Sequence, residues 1–177
     1  SSVVSGFTSP DGLSSAYSLI EDTSLGQHKV DPQNLSLTSG TLYTSSVFAK
    51  KGSRDILQMI WSGVFAADRV NFDLTNGTTY GGSAATGKIE SFGNGWYRCS
   101  ITQAAGDNGL GRCQILLQDS LSASRFASYQ GNGSGNINIW GAQMEQASYA
   151  TSYIPTYGTT QTRADESIAD LDTSSLL

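Results

Sequence analysis

The chain has 177 residues, ten of them basic and fifteen acidic, for a formal net charge of −5. Only 14% of the residues are charged, against roughly 25% in average soluble domains, and the length suits one domain with one core. Binding to nucleic acid or to an anionic membrane depends on a basic stripe. Because Lys50 and Lys51 form the only adjacent pair of Lys or Arg, we expect neither partner.

Strand signals recur along the chain with turn signals between them, and no segment keeps an apolar period of 3.6 residues. Turns such as Gly-Asn-Gly at 93–95 supply positive φ at low cost. This pattern predicts an all-β fold, an antiparallel β-sandwich. The predicted strands cover residues 16–20, 28–37, 42–49, 56–61, 69–74, 87–92, 96–102, 112–118, 125–129 and 136–144.

The two cysteines lie in strands with a clean two-residue alternation, so each strand is expected to have a core face and a solvated face. A hairpin turning about Gly106 would place Cys99 directly opposite Cys113, with both side chains on the core face. A cross-strand disulfide and two buried free thiols both stay open at this point. We assign residues 1–156 to the domain and residues 157–177 to a C-terminal tail or linker.

Few residues suit catalysis or metal binding. Glycoside hydrolysis needs two carboxylates, and the four glutamates show no paired pattern. His28 is the only histidine, and we interpret it as structural, since a catalytic triad or a multi-histidine site would depend on it alone. We therefore predict no catalytic residue, no metal ligand, no cofactor and no enzyme activity. A structural calcium ion is the alternative, because four side chains offer hard oxygen ligands: Asp11, Glu21, Gln143 and Glu145.

The aromatic residues are the most informative feature, with three tryptophans and eight tyrosines. Sugar rings stack their apolar faces on aromatic side chains, while their hydroxyls bond to amides and carboxylates. Trp140 shares a strand face with Asn136 and Asn138, and Ile137 and Ile139 occupy the opposite face. We expect Trp140 to be exposed or covered by a loop. A neutral polymer, above all a polysaccharide, is the predicted ligand.

Three sequence blocks carry a resemblance to a known kind of domain: GNGWYR at 93–98, WGAQ at 140–143 and TSYIPT at 151–156. They resemble a domain common in bacteriophage tail and other virion proteins. That domain is similar to the jelly-roll carbohydrate-binding modules of families 4, 9, 16 and 22. The resemblance implies a jelly roll, an extracellular or virion-associated location, and a ligand face that includes strands 56–61 and 112–118.

These arguments together predict a noncatalytic module that recognises a neutral β-linked polysaccharide of the β-glucan, xylan or mannan type, by aromatic stacking and amide hydrogen bonds. The alternative is a structural or adhesion domain of a phage tail or virion protein that binds no glycan and packs against neighbouring virion subunits or appended domains. The candidate carbohydrate-binding residues are Trp61, Gln114, Gln118, Tyr129 and Trp140.

Overall fold

The structure, a computed structural model, describes residues 1–155 and 161. These residues form fourteen β-strands and no helix, so they contain no helix that could span a membrane. The predicted all-β fold is confirmed, whereas the predicted tail at 157–177 lies outside the described residues apart from Gln161. The strands are β1 (Ser2–Phe7), β2 (Ala16–Ile20), β3 (Leu25–Gly26), β4 (His28–Val30), β5 (Leu35–Leu37), β6 (Leu42–Lys51), β7 (Ile56–Gly63), β8 (Arg69–Asp73), β9 (Thr78–Gly81), β10 (Thr86–Gly93), β11 (Trp96–Ala104), β12 (Gly109–Gln118), β13 (Tyr129–Gln130) and β14 (Asn136–Glu145).

Two six-stranded antiparallel sheets make a β-sandwich. Sheet I has the order β1-β2-β14-β6-β11-β10. Sheet II has the order β4-β12-β7-β8-β9, and β5 also pairs with β12. The short strands β13 and β3 form a separate two-stranded ribbon.

The alternating side chains of both sheets meet in one apolar core. Cys99 and Ile101 of β11 enter this core from sheet I, and Leu57 and Met59 of β7 enter it from sheet II. Burying each large apolar side chain contributes about 1.5–3 kcal/mol to folding. Packing of the two inner faces therefore holds the sheets together, and polar or aromatic side chains lie on the two outer faces.

Two predicted strands differ from the structure. The predicted strand 28–37 is interrupted between β4 and β5, where Pro32 has no N–H to donate to a ladder. The predicted strand 125–129 is wrong apart from Tyr129, because the chain turns at Phe126, which has a φ of 58°. Strand β1 escaped prediction because all six of its residues are exposed and give no burial alternation.

The predicted hairpin about Gly106 is also wrong. Strand β11 pairs with β6 and β10, whereas β12 pairs with β4, β5 and β7, so residues 105–108 cross from one sheet to the other. Cys99 and Cys113 are both buried and both free thiols. Burial raises the pKa of each thiol well above its ordinary value, so neither is a reactive thiolate at neutral pH.

Candidate functional site

Trp61 lies in the core and not on a binding surface. Its side chain is fully buried, and its ring stacks on that of Phe65 with 4.2 Å between the ring centres. The sequence left its direction ambiguous because β7 carries buried apolar side chains on both faces. The structure therefore corrects the interpretation of Trp61 as a stacking residue, since no ring face is open to a ligand.

Gln114 and Gln118 lie on the outer face of sheet II, as their alternation predicts, but each is only 1% exposed. The Gln114 Nε2 donates to Asp31 Oδ1 at 2.6 Å, and its Oε1 accepts from the Ser62 hydroxyl at 2.6 Å. The Gln118 Nε2 donates to Gln58 Oε1 at 3.4 Å. Both amides are thus occupied within the protein, and neither is open to a polysaccharide.

Residues 119–128, here called the cover segment, close this face of sheet II. The Asn71 Nδ2 donates to the carbonyl of Ala123 at 2.8 Å, and the Gln58 Oε1 accepts from the N–H of Phe126 at 3.1 Å. Side-chain amides of β7 and β8 therefore bind the backbone of the same chain. The ligand face that the resemblance implies is occupied by protein.

Tyr129 belongs to a buried ionic network at one end of the sandwich. Its hydroxyl donates to Glu21 Oε2 at 2.7 Å, while Arg54 donates to both oxygens of the same carboxylate at 2.9 and 2.8 Å. Burial acts to raise the pKa of Glu21, but the hydrogen bonds from Arg54, Tyr129 and the N–H of Asn132 outweigh it and lower that pKa to about 2. Tyr129 is 6% exposed and packs on His28, so its geometry is that of a structural residue.

The outer face of sheet I holds an open groove of about 1310 Å³. Strands β14, β6, β11 and β10 form its floor, and residues 146–155 rise beside it as a wall, here called the wall segment. Antiparallel pairing aligns the outward side chains in three rows across the four strands. These rows are Trp140, Phe48, Arg98 and Glu90, then Gln143, Ser46, Ser100 and Lys88, then Glu145, Thr44, Thr102 and Thr86.

Aromatic rings follow one end of this groove. The Phe48 ring lies 4.8 Å from that of Phe92 and 5.2 Å from that of Trp140, and Trp140 in turn lies 4.6 Å from Tyr153. Phe92 is 57% exposed and Tyr149 is 66% exposed. Trp140 is half-buried, because Tyr153 of the wall segment packs against it. The groove therefore offers open aromatic surface beside a polar floor.

The wall segment is held by two side chains at the end of β14. The Glu145 carboxylate accepts hydrogen bonds from the N–H and the hydroxyl of Thr151 at 2.9 and 2.5 Å. The Gln143 Oε1 accepts from the N–H of Ile154 at 3.0 Å. Gln143 and Glu145, two of the four residues considered as calcium ligands, thus stabilise the wall segment through hydrogen bonds.

The four residues considered for calcium do not converge. Asp11 accepts from the Ser9 hydroxyl at 2.5 Å in a turn, and Glu21 belongs to the network with Arg54. Gln143 and Glu145 bond to one another at 2.9 Å. Within residues 1–155 and 161, no group of three or more His, Cys, Asp or Glu side chains is arranged to hold a metal ion.

Three residues that line the groove were not predicted from the sequence as ligand contacts: Phe92, Arg98 and Tyr149. A signal existed for Phe92, which shares the alternation of Lys88 and Glu90 and so had to point away from the core.

No protein-family model matches the chain, and no curated protein matches it either.

Proposed function

We propose that the protein is a noncatalytic module that binds a β-linked polysaccharide with a mainly neutral chain, of the β-glucan, xylan or mannan type, in the groove of sheet I. The observation that carries this proposal is the exposed aromatic surface of Phe92 and Tyr149 beside a polar floor. Aromatic faces stack on the apolar faces of sugar rings, and they do so without a charged partner.

The floor supplies the polar half of such a site. Ser100 and Thr102 of β11 line the floor of the groove. A hydroxyl group can both donate and accept a hydrogen bond, so these side chains suit the hydroxyls of an uncharged sugar. A groove that is open along the sheet suits one stretch of a polymer, with an affinity in the micromolar to millimolar range, or about −4 to −8 kcal/mol.

The proposal includes a jelly-roll fold and an extracellular or virion-associated location. The strand order supports the fold, because the runs β2-β14-β6-β11 within sheet I and β4-β12-β7-β8 within sheet II have the order of the eight strands of a double Greek key. The blocks at 93–98, 140–143 and 151–156 support the location through their resemblance to virion domains.

Affinity electrophoresis through gels that contain β-glucan, xylan or mannan tests the proposal. We expect at least one polymer to retard the protein, and the double variant Phe92→Ala/Tyr149→Ala to migrate as it does in an empty gel. Tyr80→Ala is the matched control, because Tyr80 is 48% exposed on β9, outside the groove. Unchanged mobility of the native protein in every polymer would overturn the proposal.

The proposal that the module is noncatalytic has a separate test. Of the glutamates beside the groove floor, Glu90 is paired with Lys88 at 2.7 Å and Glu145 holds Thr151. Incubation with the retained polymer should release no new reducing ends. A time-dependent release that Glu90→Gln abolishes would contradict this part of the proposal.

A structural role in a virion is the second candidate, and the edge of sheet I favours it. Strand β1 is exposed along its whole length and carries no charged side chain, and Val3, Val4 and Phe7 are open to solvent. Such an edge can pair with a strand of a neighbouring subunit. Light scattering on a size-exclusion column tests this role: a stable oligomer that Val4→Lys dissociates would support it, and a monomer would not.

A further inference from the structure

One guanidinium in the groove has no carboxylate partner in the part of the chain that the structure describes. Arg98 extends from β11, its Nη2 donates to the Ser46 hydroxyl at 3.0 Å, and its guanidinium carbon lies 5.3 Å from the centre of the Phe48 ring. Its Nε is buried and has no hydrogen-bond partner among the described residues. The planar guanidinium of Arg98 therefore donates only part of the hydrogen bonds that it can make.

The two carboxylates whose charges act on Arg98, Glu90 and Glu145, are both engaged with other groups. Glu90 stands directly opposite Arg98 on β10, but its carboxylate pairs with Lys88 at 2.7 Å. Glu145 accepts two hydrogen bonds from Thr151 and one from the Gln143 side-chain amide. Within residues 1–155 and 161, no carboxylate lies within ion-pair distance of Arg98.

The surroundings of Arg98 are partly dry. Burial lowers the pKa of Arg98, and the charges of Glu145 and Glu90 oppose this effect without cancelling it. A partly desolvated cation gains more from an anion than a solvated one, because the local dielectric constant is lower. A guanidinium also binds a carboxylate through two parallel hydrogen bonds, which a point charge such as lysine does not provide.

We propose that Arg98 forms an anion subsite within the groove, where it binds the carboxylate of an acidic sugar, such as a uronic acid substituent, on an otherwise neutral polysaccharide. This inference rests on the proposed function. The net charge of −5 disfavours a densely charged polyanion. The fitting polymer therefore carries isolated carboxylates, spaced along a neutral backbone whose rings contact Phe92 and Tyr149.

A matched pair of polymers tests the inference on the native protein. One is a xylan with glucuronic acid substituents, and the other is the same polymer after chemical reduction of its carboxyl groups to alcohols. We expect the acidic form to bind about tenfold more tightly at low salt, the size of effect for a charge-assisted hydrogen-bonded pair. Equal affinity for the two forms would overturn the inference.

Variants locate the effect at Arg98. Arg98→Gln should remove the preference for the acidic polymer, and Arg98→Lys should keep only part of it because lysine lacks the fork. Lys51→Gln removes the same charge outside the groove and should change nothing. A preference that survives Arg98→Gln with an unchanged melting temperature would contradict the inference.

The result separates this inference from the proposed function. If both polymers bind equally and Phe92→Ala/Tyr149→Ala releases both, the groove binds sugar and the anion subsite is wrong. If the native protein binds neither polymer, nor the glucan and mannan, the proposed function fails and the inference fails with it.

Discussion

The outer face of sheet II is closed by the cover segment, whereas the outer face of sheet I keeps a groove of about 1310 Å³. Both faces are crossed by an irregular stretch of chain. On sheet II, amides such as Asn71 bond the backbone of that stretch along its length. On sheet I, Gln143 and Glu145 hold the wall segment from one side and leave the middle of the floor uncovered.

Side-chain chemistry decides which of the two faces stays open. A row of buried amides needs hydrogen-bond partners, and a nearby backbone satisfies them at once. A phenylalanine ring has no hydrogen-bonding group to satisfy, and short hydroxyl side chains can bond to water or to one another. Thr44 and Thr102, for example, share a hydrogen bond of 2.7 Å across the floor.

The largest loss of stability should come from a substitution in the core, beneath the covered face of sheet II. Trp61→Ala removes a fully buried ring from the core and should lower the free energy of unfolding by about 4 kcal/mol. Denaturant unfolding measures this loss. Trp140→Ala, at the rim of the open groove, is the control and should cost clearly less. A Trp61→Ala protein that keeps its stability and loses polymer binding would reverse our assignment of the two faces.

The network that follows the cover segment should give the next largest effect. Glu21→Gln leaves Arg54 without its ion partner and should cost about 3 kcal/mol at neutral pH. Because the pKa of Glu21 is lowered from 4.5 to about 2 in the folded state, its stabilisation is present above about pH 5 and is lost as the pH falls through about 2.

The measurement is the free energy of unfolding of the native protein and of Glu21→Gln from pH 7 to pH 2. The difference between the two proteins should shrink as the pH falls. Glu90→Gln, which breaks an exposed pair, is the control and should change stability little at any pH. A difference that stays constant with pH would contradict the ionic role of Glu21.

The amides under the cover segment should give a smaller loss. Gln58→Ala leaves the Phe126 N–H and the Ser124 carbonyl without their partner and should cost about 2 kcal/mol. Hydrogen exchange at Phe126 should accelerate, whereas exchange in β11 should not. Equal acceleration in both places would mean that the cover segment does not open by itself.

The smallest expected effect is a loss of affinity for the polymer without a loss of stability. Tyr149→Ala removes one exposed ring from the groove and should weaken polymer binding by about 1 kcal/mol, roughly fivefold, without a change in melting temperature. Isothermal calorimetry with a soluble oligosaccharide measures it, and Tyr80→Ala serves as the control. A loss of affinity that accompanies a loss of stability would make Tyr149 a structural residue.

The sequence was sufficient for the β-sandwich because its signals are local. Two-residue alternation placed Cys99, Ile101, Cys113 and Leu117 inward, and all four are buried in the core. The pairing of strands is not local. The short connection at 105–108 looks like a hairpin turn in sequence, yet it joins two sheets, because β11 pairs with β6 far away in the chain.

The candidate site was harder to predict because it also depends on contacts between segments that are distant in the sequence. The two-residue alternation correctly placed Gln118 on an outer face. Its burial depends on the cover segment, which has no regular sequence pattern and accepts a hydrogen bond from the Gln118 side chain. Trp61 was ambiguous because its strand is buried on both faces. Trp140 could be assigned to an outer face from its neighbours alone, and the structure places it at the groove.

Strand β14, the last strand among the described residues, lies between β2 and β6 in sheet I, although these two strands precede it by a long stretch of chain. Until residues 136–145 leave the ribosome, β2 and β6 each present an unpaired edge, and chains that stop earlier keep those edges open to other chains. Sheet I, with the floor of its groove, is therefore completed only after β14 has been made and fills the gap between β2 and β6.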